Sequence, residues 1–166
     1  VIAVAILSKL GFSVAASTGK SGQHDWLREL GAAEVINRDE LAEQTSRPLL
    51  RERWGGAVDV VGGDTLVNIL KSLRYGASAS CCGLVSSPKL DASVFPFILR
   101  GVNLLGVDSV QLPLGKKRQI FERLGAEWKL ENLDAIFNEI SLSQLDESLA
   151  ALLKGQTVGR VLLNLG

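Results

Sequence analysis

A chain of 166 residues, 46% hydrophobic and 22% charged, has the length and balance of one globular domain with a real core. Its eighteen basic and eighteen acidic side chains cancel, which argues against nucleic acid or an anionic membrane surface as the main partner. No apolar run reaches the roughly 18 to 20 residues of a membrane span, and the opening residues lack the basic start and small-residue cleavage site of a secretory signal.

The chain opens on VIAVAIL and contains no methionine, not even at position 1. It reads as a piece of a longer protein, cut upstream of Val1. Residues 1–10 are apolar on every side and predict a buried helix, with a buried strand as the competing reading. Residues 13–17 predict a strand, 22–30 a helix with Trp26, Leu27 and Leu30 on one face, and 34–37 a second strand. The segments LSKLGFSVAAS and LRELGAAEVIN repeat one rhythm at a spacing of 20 residues: helix, Leu-Gly, short apolar strand. Gly11 and Gly31 stand where a helix end calls for a left-handed residue. That rhythm belongs to βαβ units and a parallel sheet.

A helix over 38–45 leads into a polar stretch around Pro48. AVDVVG, residues 57–62, reads as a strand in a sheet covered on both faces. A helix over 64–73 places Leu66, Ile69, Leu70 and Leu73 in register, and the small residues of GASASCCG, 76–83, form the next strand. VFPFILR is a short helix or turn, VNLLGVDSV another strand, and 115–128 an amphipathic helix. After a soft boundary near residue 130 come a helix in LSQLDESLAALLKG, begun at Ser141 or Ser143 and ended at Gly155, and a closing strand in TVGRVLLNL. The expectation is an α/β, doubly wound, Rossmann-like parallel sheet over 1–130, truncated before its first strand and glycine-rich loop, with 131–166 belonging to another domain.

Thr18-Gly19-Lys20-Ser21 resembles the tail of a Walker A loop, but that loop needs a glycine at position 14, which is Val. In a doubly wound nucleotide domain the loop after the second strand meets the adenosine ribose, and an acid there selects NAD. Ser17, Thr18, Gly19 and Lys20 include no acid. Hydroxyl donors, an approachable backbone and a cation suit the 2′-phosphate of NADP. An ordinary solvated turn, with Ser21 capping the next helix, explains the same residues.

Cys81 and Cys82 are adjacent, which suits neither a disulfide nor a zinc pair, so they read as core-lining thiols in a reducing cytoplasm. His24, the only histidine, reads as a surface helix residue, and no catalytic Ser/His/Asp set can be assembled. Asp59 ends a buried strand and could meet a ligand or hold a structural hydrogen bond.

With STGK, AVDVVGG, CCGL and above all PFILRGVNLLGVDSV, the chain resembles the quinone-oxidoreductase-type medium-chain dehydrogenase/reductases, in the branch that includes acrylyl-CoA reductase. The resemblance covers essentially the whole chain. It implies that Thr18-Gly19-Lys20 stands for the branch's Ser-Gly-Arg at the 2′-phosphate, with Arg38 near the adenine. It also implies Cys82-Gly83-Leu84 under the nicotinamide, Ile98 and Ser109 at the cofactor, and Arg160 nearby. The implied reaction is hydride transfer from NADPH to an activated C=C bond of an enoyl thioester or a quinone, a small-molecule substrate, without zinc. The catalytic residues would lie in an N-terminal domain outside this chain, so the chain alone would be inactive. The resemblance further implies a homodimer paired strand to strand along residues 102–109, an exposed apolar edge. Two rival readings are a non-catalytic module that binds or senses NADP(H), and a flavodoxin-like receiver, which lacks its acidic cluster here.

Overall fold

The computed structural model describes residues 1–166. Helix α1 (Ile2–Lys9) leads through Gly11 into β1 (Val14–Thr18), and α2 (His24–Glu29) leads through Gly31 into β2 (Ala32–Asn37). Both glycines take left-handed backbone, φ 84° and 101°, as the repeated Leu-Gly anticipated. β1 and β2 pair in parallel, with Thr18 opposite Asn37. Helix α3 (Arg38–Ala42) follows directly and is capped by Asn37, whose Oδ1 accepts the Asp39 N–H at 3.1 Å.

A second parallel sheet has the order β3 (Trp54–Asp59), β4 (Leu73–Cys81), β5 (Asn103–Gly106). Between β3 and β4 lies α4 (Gly63–Ser72), the most deeply buried helix. Leu66, Ile69, Leu70 and Leu73 pack with Ala79 and Val102 into the main core, and Leu70 and Leu73 are fully enclosed. Each such leucine contributes about 1.5–3 kcal/mol. Helix α5 (Phe95–Arg100) carries Pro96 in its first turn, ends on left-handed Gly101, and aims Arg100 back at the end of α4. The Arg100 guanidinium donates to Lys71 O at 2.8 Å, Leu73 O at 3.3 Å and Leu50 O at 2.7 Å, which ties the end of α4, the start of β4 and the segment before β3 together.

Beyond α6 (Leu114–Gly125), β6 (Phe137–Ser141), α7 (Leu145–Leu153) and β7 (Arg160–Asn164) form a third parallel pair, β6 on β7. This segment lies against the first unit. Trp26 Nε1 donates to Ala135 O at 3.0 Å, and Lys9 donates to the Lys129 carbonyl.

The parallel α/β architecture is the expected one, and three expectations within it are corrected. Helix α1 is not buried: it packs on β1 and β2 by one side and none of its residues is fully enclosed. The 57–62 strand begins three residues earlier, at Trp54, and is not covered on both faces; Val58 and Val60 are about half exposed, at 48% and 51%. Cys82 does not line the core, although Cys81 packs against it. β1 and β3 do not pair with each other, so each keeps one free edge.

Candidate nucleotide-binding site

The loop after β1 is shaped by its own hydroxyl. Thr18 Oγ1 accepts the Lys20 N–H at 3.1 Å, which turns the chain tightly at Gly19. Parallel pairing of β1 with β2 brings Arg38 alongside. A β-carbon at Gly19 would stand 3.4 Å from Arg38 Cζ and 3.5 Å from Nε, so the guanidinium lies over the glycine backbone. The exposed Arg38 side chain has no acidic partner and donates no hydrogen bond within the chain. Ser17 and Gly19 are exposed, and Thr18 and Lys20 half-buried. The acid-free loop and Arg38 thus form one cationic corner with a glycine floor, fitted to a phosphoryl group.

Lys20 is partly engaged elsewhere. Its Nζ donates to Thr157 O at 2.6 Å, and the ammonium keeps two further N–H donors. Thr157 is a contact that sequence reasoning missed, since nothing local links residues 137 positions apart.

A second cluster forms where β3 and β4 end. Asp59 is 2% exposed; its Oδ2 accepts the Gly62 N–H at 2.9 Å and its Oδ1 has no partner. Cys82 donates its backbone N–H and its thiol to Asp59 O. Glycine is required at 83, where a β-carbon would come 2.3 Å from Val60 O. Leu84 follows and is exposed, as Ile98 on α5 and Ser109 after β5 are. The Ser109 hydroxyl forms no hydrogen bond, and α5, which carries Ile98, packs on β4. Arg160 opens β7 and its guanidinium donates to Gly159 O at 3.1 Å. His24 is half-buried at the start of α2.

Residues 1–127 match the family described as zinc-binding dehydrogenase. The chain belongs to that family. It is 44% identical over 163 residues to the acrylyl-CoA reductase AcuI of Ruegeria pomeroyi, covering 98% of this chain and 49% of that protein. It is 41% identical over 165 residues to a putative quinone oxidoreductase, YhfP, of Bacillus subtilis, covering 99% of this chain and 50% of the relative. The chain spans about half the length of the curated relatives it matches. Among solved structures, YhdH of E. coli K-12 with bound NADPH superposes with TM-score 0.92 at 41% identity, over 99% of this chain and 50% of that one. Bacillus subtilis yhfP with NAD bound gives 0.94 at 41%, with the same coverage. These relatives agree with the resemblance read from the sequence.

The family name carries zinc, and the residues here do not fit it. No group of three or more His, Cys, Asp or Glu side chains is placed to hold a metal ion.

Proposed function

We propose that this chain is the NADPH-binding part of an oxidoreductase that reduces an activated C=C bond, in an enoyl thioester such as acrylyl-CoA or in a quinone. The observation that carries the reading is the acid-free corner of Thr18, Gly19 and Lys20 under the unpaired Arg38 guanidinium. A carboxylate there would repel a 2′-phosphate; this corner attracts it. The relatives crystallised with NADPH and NADP support the cofactor, and the acrylyl-CoA reductase and quinone oxidoreductase relatives support the reaction class.

When bound, NADPH would supply the hydride. The residues of this chain would position it. Lys20 and Arg38 would hold the 2′-phosphate, and Leu84, Ile98, Ser109 and Arg160 would border the remainder. The Asp59–Gly62 bond and the glycine at 83 would keep the ends of β3 and β4 close together. Residues 1–130 form the cofactor domain in this reading, and 131–166 belong with a catalytic domain. The active enzyme is a cytoplasmic homodimer joined along β5. Its exposed Leu105 and the adjacent Val107 offer an apolar edge, while Val102 and Leu104 turn inward to the core.

The test is steady-state oxidation of NADPH and of NADH by the full-length protein with crotonyl-CoA and with a quinone. NADPH is expected to be preferred. Equal use of both cofactors overturns the reading of residues 17–20 and 38. Tight NADPH binding with no turnover on any activated alkene or quinone turns the reading to a non-catalytic NADP(H) sensor.

A further inference from the structure

A cavity of about 940 Å³ opens between α3, the segment leading from it to β3, and the end of α4. None of residues 17–20 lines it. Only three of its fourteen lining residues are hydrophobic, so the lining suits a polar group. Four arginines face it, and their engagement differs. Arg53 is fully used: its guanidinium meets Glu34 at 2.6 Å and Glu40 at 2.5 Å, and lies 4.2 Å over the Trp54 ring. Arg47, Arg51 and Arg74 form no ion pair and donate no side-chain hydrogen bond. Of the lining acids, Glu40 is taken by Arg53 and Glu52 by Arg100 at 3.4 Å, which leaves Glu43 as the one uncommitted carboxylate. Three free guanidinium groups thus face one free carboxylate.

The backbone beneath these arginines is fastened although their side chains are not. Asn68, 6% exposed, donates to Leu41 O at 2.9 Å and Glu43 O at 2.7 Å. Lys71 Nζ holds Thr45 O at 3.0 Å, and Thr45 Oγ1 accepts the Arg47 N–H at 3.2 Å. Leu50 is held from both sides, through its N–H to Lys71 O and its carbonyl to Arg100. Arg74 projects from β4, itself fixed by pairing with β3. The three side chains themselves are exposed. A fixed backbone thus brings three exposed, uncommitted guanidinium forks to one concave surface, and guanidinium matches phosphate oxygens two at a time.

We propose that this cavity binds a small anion carrying two or more phosphoryl groups, held by Arg47, Arg51 and Arg74, at a site separate from the cofactor corner. One phosphoryl group cannot engage three forks from three backbone positions as well as two can.

The experiment titrates inorganic pyrophosphate, with orthophosphate as comparator, into the full chain saturated with NADPH, following backbone amide shifts by NMR. The expected shifts map to Arg47, Arg51 and Arg74 and leave Thr18–Lys20 still, with pyrophosphate at least tenfold tighter than orthophosphate. Unmoved signals at all three arginines overturn the proposal, as do equal affinities for the two anions. Arg51→Gln and Arg74→Gln should each weaken pyrophosphate at least fivefold while NADPH affinity stays within twofold. The Lys variants should recover part of the loss. Loss of pyrophosphate binding in Lys20→Gln alone places the anion in the cofactor corner and overturns the separate site. The wild-type titration decides the matter even where a variant fails to fold.

Discussion

At Gly31 two constraints meet. The backbone is left-handed, φ 101°, and a β-carbon would stand 2.2 Å from Ser8 Oγ. Gly11 has the same handedness, φ 84°, with open space around it. Gly31→Ala should therefore cost about 1–3 kcal/mol, and Gly11→Ala less, since it carries only the backbone strain. Urea unfolding of both variants checks the order; equal losses would mean that Ser8 simply moves aside. In the cofactor corner, Lys20→Glu should abolish or reverse the preference for NADPH, and Arg38→Ala should weaken NADPH binding roughly ten- to a hundredfold, as charged hydrogen bonds of about 1.5–3 kcal/mol are lost. NADH binding should change little in Arg38→Ala. Fluorescence titration of both cofactors measures the contrast, and a parallel loss for NADH would show that Arg38 acts through the fold.

Among the elements, those whose signal is local were legible in the sequence. The two Leu-Gly stops, the apolar face of α4 and the Pro96 start of α5 each announce themselves within a few residues. The start of β3 was not legible, because Trp54-Gly55-Gly56 reads as a turn until β4 pairs with it. β6 was missed for the same reason: FNEIS buries only Ile140 and becomes a strand through β7, about twenty residues later. For the site, residue types told more than positions. The absence of an acid in 17–20 was visible, while Arg38 over Gly19 and Lys20 on Thr157 depend on pairing that no local pattern states. β5 carries the element-scale prediction. Leu105→Glu should make the full-length protein monomeric in sedimentation while its far-UV circular dichroism is unchanged, because Leu105 is 53% exposed and outside the core. A wild-type monomer at high concentration would remove the β5 dimer.

For the molecule as a whole, the parallel strands fall into pairs and a triple, with the main core confined to α4, β4 and their neighbours. The second core cluster, Ala16, Leu27 and Ala32, is small. Stability should be distributed accordingly. Leu70→Ala should cost about 2–5 kcal/mol, because its side chain is wholly enclosed. Ala79 and Leu70 amides should exchange far more slowly than those of Ala15 and Val35. Uniform protection across both sheets would mean that they unfold as one unit. The 166 residues alone should show no turnover with NADPH and crotonyl-CoA, in an assay where the full-length protein serves as the positive control. Activity of these residues alone would place the catalytic groups among them.

The single bond from Lys20 to the Thr157 carbonyl makes two distant regions share one donor group. An anion that draws the ammonium toward itself weakens the tether of the C-terminal segment, and the segment, while tethered, lowers the affinity for the anion by the same factor. This reciprocity is a thermodynamic necessity, whatever the path between the two sites. Filling of the cofactor corner should therefore be audible at the other end of the chain, as faster amide exchange around Gln156 to Gly159.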